Sequence, residues 1–334
     1  MRILVTGGAG YIGSVVADRL LRNRHTVTVL DNLSKGYREA VPARANFVLA
    51  DTGDHSALAT VCEHGRFDAV MHFAAFIEAG ESVLCPERYF DNNSARTLSL
   101  LQAVLKHHIP RFVLSSTAAV YGEPRRIPIM EDDPLEPTNA YGESKLIVER
   151  MLSWFHRVHG LRYASLRYFN AAGAIADRGE AHHPETHLIP LVLQVPAGGR
   201  PAITIFGTDY PTKDGTCIRD YVHIDDLATA HLLALDALEE HSRLICNLGS
   251  GNGFSVREVI EIAHKVTGHE IPAVEAPRRV GDPAVLIAGS EKIRRVLGWN
   301  PQRSDIESIV RSAWEWHRSH PNGYGLQEES AQAT

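Results

Sequence analysis

Three things are scarce in this sequence, and each scarcity removes a class of function. Positive charge is not in excess: 34 Lys+Arg against 40 Asp+Glu leave a net charge of −6 over 334 residues. No basic stripe offsets that balance, so no nucleic-acid partner is expected. Cysteine is sparse: Cys62, Cys85, Cys217 and Cys246 lie far apart with no C-x-x-C pair. That pattern argues against a disulfide framework and favours free thiols in a reducing, cytoplasmic compartment. Long apolar runs are missing too, so no membrane span is expected. The first apolar run is too short for a signal peptide and leads straight into glycines. What is left, 44% hydrophobic and 22% charged, fits a globular chain of two domains or one large one.

Against this plain background the opening stretch stands out. Ile3, Leu4 and Val5 read as a short buried strand, and Gly7, Gly10 and Gly13 follow at three-residue spacing. Ile12, Val16 and Leu20 then fall four apart, as on one face of a helix. Glycines also mark ordinary turns. A strand, a glycine turn and a helix start together are what a dinucleotide site needs. Gly7 permits the turn, Gly10 lets the backbone approach a pyrophosphate, and Gly13 lets the helix pack closely. The helix N-terminus offers unpaired N–H groups and a positive dipole end.

Further strands are expected at Thr26–Leu30, Asn46–Ala50, Arg66–Ala75 and Arg111–Ser115, alternating with helical patterns. That alternation implies a doubly wound parallel sheet, an α/β Rossmann architecture. Asp31 ends the second strand, where a carboxylate can accept from a ribose diol and repel a 2′-phosphate. It therefore favours NAD over NADP, with a turn cap as the plainer alternative. Asn32 and Ser34 follow with polar groups. Asp51 closes the third strand, either beside an adenine or as turn chemistry. Small residues after the fourth strand would admit a flat cofactor. A helix is expected over Pro86–His107, and Asn92 and Asn93 sit badly inside it. One of them is expected to anchor a loop or meet the cofactor.

Tyr141-Gly-Glu-Ser-Lys145 puts a phenol and an ammonium at i and i+4, on one helix face. A free tyrosine titrates near about 10, too high for an efficient base at neutral pH. A neighbouring ammonium lowers it, as would a positive nicotinamide ring. The phenol is then a credible general base for an alcohol. Thr117, at the end of the fifth strand, can share the same hydroxyl. A core tyrosine and a solvated lysine are the bland alternative.

The glycine turn, Thr117 and Tyr141-x-x-x-Lys145 resemble the extended short-chain dehydrogenase/reductases. The later segments narrow the resemblance to the UDP-glucose 4-epimerase family, to about residue 323. They include Leu166-Arg-Tyr-Phe-Asn170, Asp209-Tyr-Pro-Thr212, Arg219-Asp-Tyr-Val-His223 and Ala276-Pro-Arg-Arg279. The resemblance implies NAD as cofactor, a UDP-hexose as substrate, and a homodimer. It implies NAD contacts at Gly7, Gly10, Tyr11, Ile12, Gly13, Asp31, Asn32, Ser34, Asp51, Thr52, Phe73, Ala74, Ala75, Asn92, Tyr168 and Phe169. It implies nucleotide-sugar contacts at Asn170, Leu188, Phe206, Arg219, Tyr221, Arg279 and Asp282, with the two arginines on the diphosphate. It also implies a Rossmann domain over 1–170, rejoined at about 221–250, and a smaller mixed α/β substrate domain over 171–323. A flexible tail is expected at 324–334.

From about residue 171 the alternation fades, and Pro184, Pro190, Pro196 and Pro201 interrupt the chain. Ile203–Phe206 reads as a strand. Tyr221–His231 reads as the start of a helix, which the resemblance implies packs back on the first domain, with Leu244–Leu248 then a further strand of that domain. Two positions depart from the family pattern. Ile77 stands where a cofactor-side lysine is common, and Leu286 stands at the gate beside the sugar. His182, His183 and His187 cluster, but a zinc site would need a further ligand. The stretch reads as a solvated loop with no metal. The implied activity is reversible C4 epimerisation of a UDP-hexose through a 4-keto sugar. The rivals are epimerisation of a UDP-uronic acid, UDP-N-acetylhexosamine or UDP-pentose, a 4,6-dehydratase, and an NAD-sensing protein without activity. Ala118 and Ala119 follow Thr117, where related dehydratases place an Asp-Glu acid/base pair.

Overall fold

A computed structural model describes residues 1–279 and 281–325. The strands begin with β1 (Arg2–Thr6), β2 (Thr26–Asp31), β3 (Asn46–Leu49), β4 (Ala69–His72), β5 (Arg111–Thr117) and β6 (Arg162–Tyr168). They continue with β7 (Asn170–Ala172), β8 (Ile203–Phe206), β9 (Ile218–His223) and β10 (Arg243–Leu248). Seven of these form one parallel sheet in the order β10-β6-β5-β4-β1-β2-β3. The order reverses at β1, and in such sheets ligands bind at that crevice, outside the carboxyl ends of the strands. Ile3, Leu4 and Val5 have no exposed surface, as expected of a strand covered on both faces.

The helices of the first half are α1 (Tyr11–Arg22), α2 (His55–Gly65), α3 (Ala79–Leu84), α4 (Pro86–Tyr89), α5 (Arg96–Lys106) and α6 (Ala140–His159). Those that follow are α7 (Leu188–Leu193), α8 (Ile224–Ala237), α9 (Val256–Thr267), α10 (Glu291–Leu297) and α11 (Ile306–Ser319). One face of the sheet buries Val15, Val16 and Leu20 of α1 with Leu227, Ala230 and Ala234 of α8. The other buries Leu58 of α2, Leu100 and Val104 of α5, and Val148 and Leu152 of α6. A separate core gathers α7, α9 and α11 around Ile189, Val259 and Ile309. The remaining strands are β11 (Gly253–Ser255), β12 (Ala273–Ala276) and β13 (Val285–Leu286). β9 pairs with β7, β11 and β13, and β8 pairs with β12.

Three expectations need correction. Tyr221–His223 is strand, not helix. It ends β9, and the His223 ring accepts from the Asp225 N–H at 3.0 Å to cap α8. The helix expected over 86–107 runs as α4, a π-helical turn at Phe90–Ala95, and α5. The wide turn falls on the two asparagines. β6 gave no strand signal because Arg162 and Arg167 interrupt its apolar run. Arg167 is nonetheless buried, paired at 2.6 Å with Glu149 of α6. At the expected tail, Tyr324 is held by Gly179, whose N–H donates to its hydroxyl at 3.0 Å. Residues 326–334 of that tail lie outside the described residues.

Candidate active site

A cavity of about 1100 Å³ opens at the reversal point and runs from the glycine turn to β8 and β9. Every candidate catalytic, cofactor and nucleotide residue lines it. Residues from both halves of the chain therefore share one wall.

The glycine turn has little room for side chains. Gly7 has φ +74°, and a Cβ there would lie 2.4 Å from the Ala74 nitrogen. A Cβ on Gly13 would lie 2.2 Å from the Gly7 carbonyl oxygen. Gly10 precedes α1 without any side-chain cap, so the first N–H groups of the helix are left for a ligand. Asp31 is buried. Its oxygens accept from the Ala9 and Leu33 N–H groups at 2.9 Å, and burial pushes its carboxyl up. Each oxygen keeps a lone pair for a hydroxyl. Asp51 is more committed: it accepts from Arg96 at 2.6 Å, Asn32 at 2.7 Å and the Gly53 N–H at 2.7 Å. Of the two asparagines, Asn92 faces the cavity and Asn93 anchors the loop. Asn93 accepts from the Phe76 N–H at 2.8 Å and donates to the Phe76 carbonyl and the Ser144 hydroxyl, each at 3.0 Å.

Deeper in, α6 presents Tyr141 and Lys145 opposite Thr117. Asn139 caps this helix by accepting from the Gly142 N–H at 2.9 Å, which fixes its first turn. Burial pushes the Tyr141 phenol up to about 12, a hydrogen bond with Thr117 pulls it down, and the Glu78 charge pushes it up. The expected lowering by Lys145 is therefore not realised in this state. Lys145 donates to the Ser115 carbonyl at 2.8 Å. Its ammonium is pushed down to about 8 by burial, and Glu149 opposes that shift. Glu149 is itself held by Arg167 and by the Ser116 hydroxyl at 2.6 Å. Tyr168 bonds with the Ser115 hydroxyl.

At the far end, Arg219 pairs with Asp282 at 2.7 Å, and Arg279 lies 4.1 Å over the Phe206 ring. Asn170 donates to the Asp220 carbonyl at 2.8 Å, Tyr221 is buried, and Leu188 begins α7. Ile77 and Leu286 line the cavity as well. So does Lys35, whose ammonium pairs with Glu78 at 2.8 Å. Its place in the turn after Asp31 carried no recognisable signal.

The histidine stretch is not a solvated loop. His183 is exposed, but His182 and His187 are partly buried around Glu180, which is 5% exposed. Glu180 lies 3.0 Å from His182 Nδ1 and 2.8 Å from His187 Nδ1. Glu180 and Glu185, beside and between the histidines, complete the cluster that the histidines alone did not reveal. Those carboxylates were the available signal.

A model of the NAD dependent epimerase/dehydratase family matches residues 3–249. The chain is 54% identical over 325 residues to a UDP-glucose 4-epimerase of Streptomyces lividans, covering 97% of this chain and 98% of that one. Among solved structures it is similar to a UDP-glucose 4-epimerase from Brucella ovis in complex with NAD. That match has 43% identity and a TM-score of 0.91, over 94% of this chain and 97% of that one. It is also similar to one from Bifidobacterium longum in complex with NAD+ and UDP. There the identity is 36% and the TM-score 0.92, over 96% and 99% of the two chains.

Proposed function

The chain belongs to the NAD-dependent epimerase/dehydratase family, and we propose that it interconverts UDP-galactose and UDP-glucose by inverting C4 of the hexose. It is an isomerase with NAD as bound redox cofactor. The observation that carries the reading is the shared cavity: a dinucleotide cradle, a Thr-Tyr-Lys set and two arginines line one continuous wall. The cradle fits NAD. Side chains at Gly7 and Gly13 would strike the backbone that shapes it, and the Asp31 carboxylate suits a ribose diol and disfavours a 2′-phosphate. Held by the glycine turn and Asp31, NAD would supply the hydride acceptor and donor that passage of C4 through a 4-keto sugar requires.

The chain's own residues handle protons and position. Tyr141 takes the proton of the C4 hydroxyl and gives it back after inversion, acting as general base and then acid. Thr117 hydrogen-bonds the same phenol and steadies the hydroxyl. Lys145, fixed on the Ser115 carbonyl, holds a positive charge beneath the site. Arg219 and Arg279 grip the diphosphate through forked, charge-assisted bonds, with Phe206 under the base and Asn170, Leu188, Tyr221 and Asp282 around the nucleoside. A firm hold on UDP and a loose one on the hexose leave the 4-keto sugar free to turn its other face. Ala118 and Ala119 line the cavity and offer no acid/base pair for dehydration.

We divide the chain into a cofactor part, 1–170 with the return at about 221–250, and a substrate part over 171–323. Four free cysteines support a reducing, cytoplasmic setting. Among the described residues no helix is long and apolar enough to cross a membrane. A homodimer is supported by Trp154 and Val158 of α6, one turn apart and about 60% exposed.

The test is to supply purified protein with UDP-galactose and no added NAD. UDP-glucose is the expected product. Absence of turnover in protein shown to carry NAD would sink the assignment.

A further inference from the structure

We propose that Glu180, His182, Glu185 and His187 form a structural metal site for zinc, set in the cavity wall between the cofactor cradle and α7. Each offers one ligand atom, and the four atoms lie within 4.8 Å of one another. The residue types suit the ion. Imidazole nitrogen and carboxylate oxygen are both zinc ligands, and two of each fill the four positions of a tetrahedral set. Two carboxylates with two neutral imidazoles carry a charge that one divalent ion cancels.

The hydrogen bonding within the cluster points to an ion as well. His187 Nδ1 lies 2.8 Å from Glu180 and 3.0 Å from Glu185. A single nitrogen carries at most one proton, so it cannot donate well to both carboxylates. The same oxygen of Glu180 is also 3.0 Å from His182 Nδ1. Two nitrogens and two carboxylates thus close on one point. Ligand atoms about 2.0–2.2 Å from a tetrahedral zinc stand about 3.4 Å apart, so seating the ion opens the pairs now at 2.8–3.0 Å and draws in the wider ones, all of which lie within 4.8 Å. Glu180 is buried, and among the described residues its ion pairs are to these two histidines alone. A carboxylate so placed needs a positive charge beside it, which a protonated His187 supplies in the absence of an ion and which a bound ion would take over.

The surroundings hold the ligands in place. The Tyr37 hydroxyl donates to the Ala181 carbonyl at 2.7 Å, and the Tyr11 hydroxyl to the Gly173 carbonyl at 2.6 Å. The Tyr11 ring packs edge-on to His182 at 6.1 Å. His187 is the residue before α7, and Leu188 opens that helix on the cavity. The ion would close the 180–187 segment on itself immediately before Leu188 and α7. Its work is to fix the cavity's shape, and no step of the epimerisation uses it.

Untagged, full-length protein stripped by a chelator and titrated with Co2+ tests the site, followed by displacement with Zn2+. The expected result is a visible tetrahedral Co2+ spectrum that saturates at about one equivalent per chain, is bleached by Zn2+, and comes with a raised Tm. Metal analysis of protein purified without added metal should return zinc at about the same ratio. In the double variant H182A/H187A the spectrum and the Tm rise should vanish. If that variant does not fold, Glu185→Gln serves, with affinity weakened roughly tenfold or more. Wild-type protein that shows neither saturable Co2+ binding nor a Tm response to Zn2+ overturns the proposal. So does a folded variant that binds as wild type does. Both readouts are independent of turnover, so this proposal and the epimerase reading stand or fall separately.

Discussion

At the scale of the residue, burial moves Tyr141 and Lys145 in opposite senses. Leaving water raises the phenol, to about 12, and lowers the ammonium, to about 8, because each shift favours the neutral form. The lysine shift has a consequence for stability. Its ordinary value is 10.5. Between about pH 8 and 10.5 the unfolded chain binds a proton that the folded chain does not, so stability rises with pH across that window. Below it the charged, buried lysine costs about 3 kcal/mol. We expect Lys145→Met to be more stable than wild type at pH 7, and the gap to close toward pH 10.5. Urea unfolding at a series of pH values measures it, and a gap that does not change with pH contradicts this account of Lys145. The same variant should lose most of its epimerase activity, which separates the residue's catalytic worth from its cost to the fold.

At the scale of the element, the glycine turn joins sequence, geometry and function most tightly. A Cβ on Gly13 would strike the Gly7 backbone, which cannot rotate away as a side chain would. Gly13→Ala should cost about 1–3 kcal/mol of stability and release NAD. The checks are Tm and the dinucleotide recovered from denatured protein; full NAD content with unchanged Tm would show that the turn tolerates the methyl. This part of the fold was legible because β1 is an unbroken apolar run and the glycines follow it at once. β6 was not legible, since Arg167 looks like a surface residue until Glu149 is brought to it from a helix 18 positions away. β9 was misread because Tyr221-Val222-His223 precedes a true helix with no break. His223 itself supplies the cap that divides them. The glycine turn, Asp31 and the Tyr141–Lys145 pair stood out by local spacing, while Thr52, Tyr168, Phe169 and other cofactor positions were named only through the resemblance. The Glu180 cluster was not legible, because its chemistry needs carboxylates and imidazoles counted together.

At the scale of the whole molecule, the cavity depends on the chain returning. β10 completes the parallel sheet beside β6, while β8 and β9 carry Phe206 and Arg219 to the same cavity. Periodicity did not reach this arrangement, because the second half is short strands broken by prolines. The outer surface carries a prediction of its own. Trp154 and Val158 are proposed to meet a second copy, so Trp154→Glu should shift sedimentation from dimer to monomer with the cavity left intact. A wild-type protein that sediments as a monomer at micromolar concentration removes the dimer from the account.

The central claim is that the Tyr141 phenol moves the C4 proton inside an NAD-loaded cavity. Its most direct test is the rate of UDP-galactose conversion by Tyr141→Phe, measured beside wild type in preparations matched for bound NAD. The account predicts a loss of about 10²–10⁴-fold, the usual worth of a positioned acid/base group, with NAD content and UDP affinity retained. Equal rates in the two proteins would contradict it.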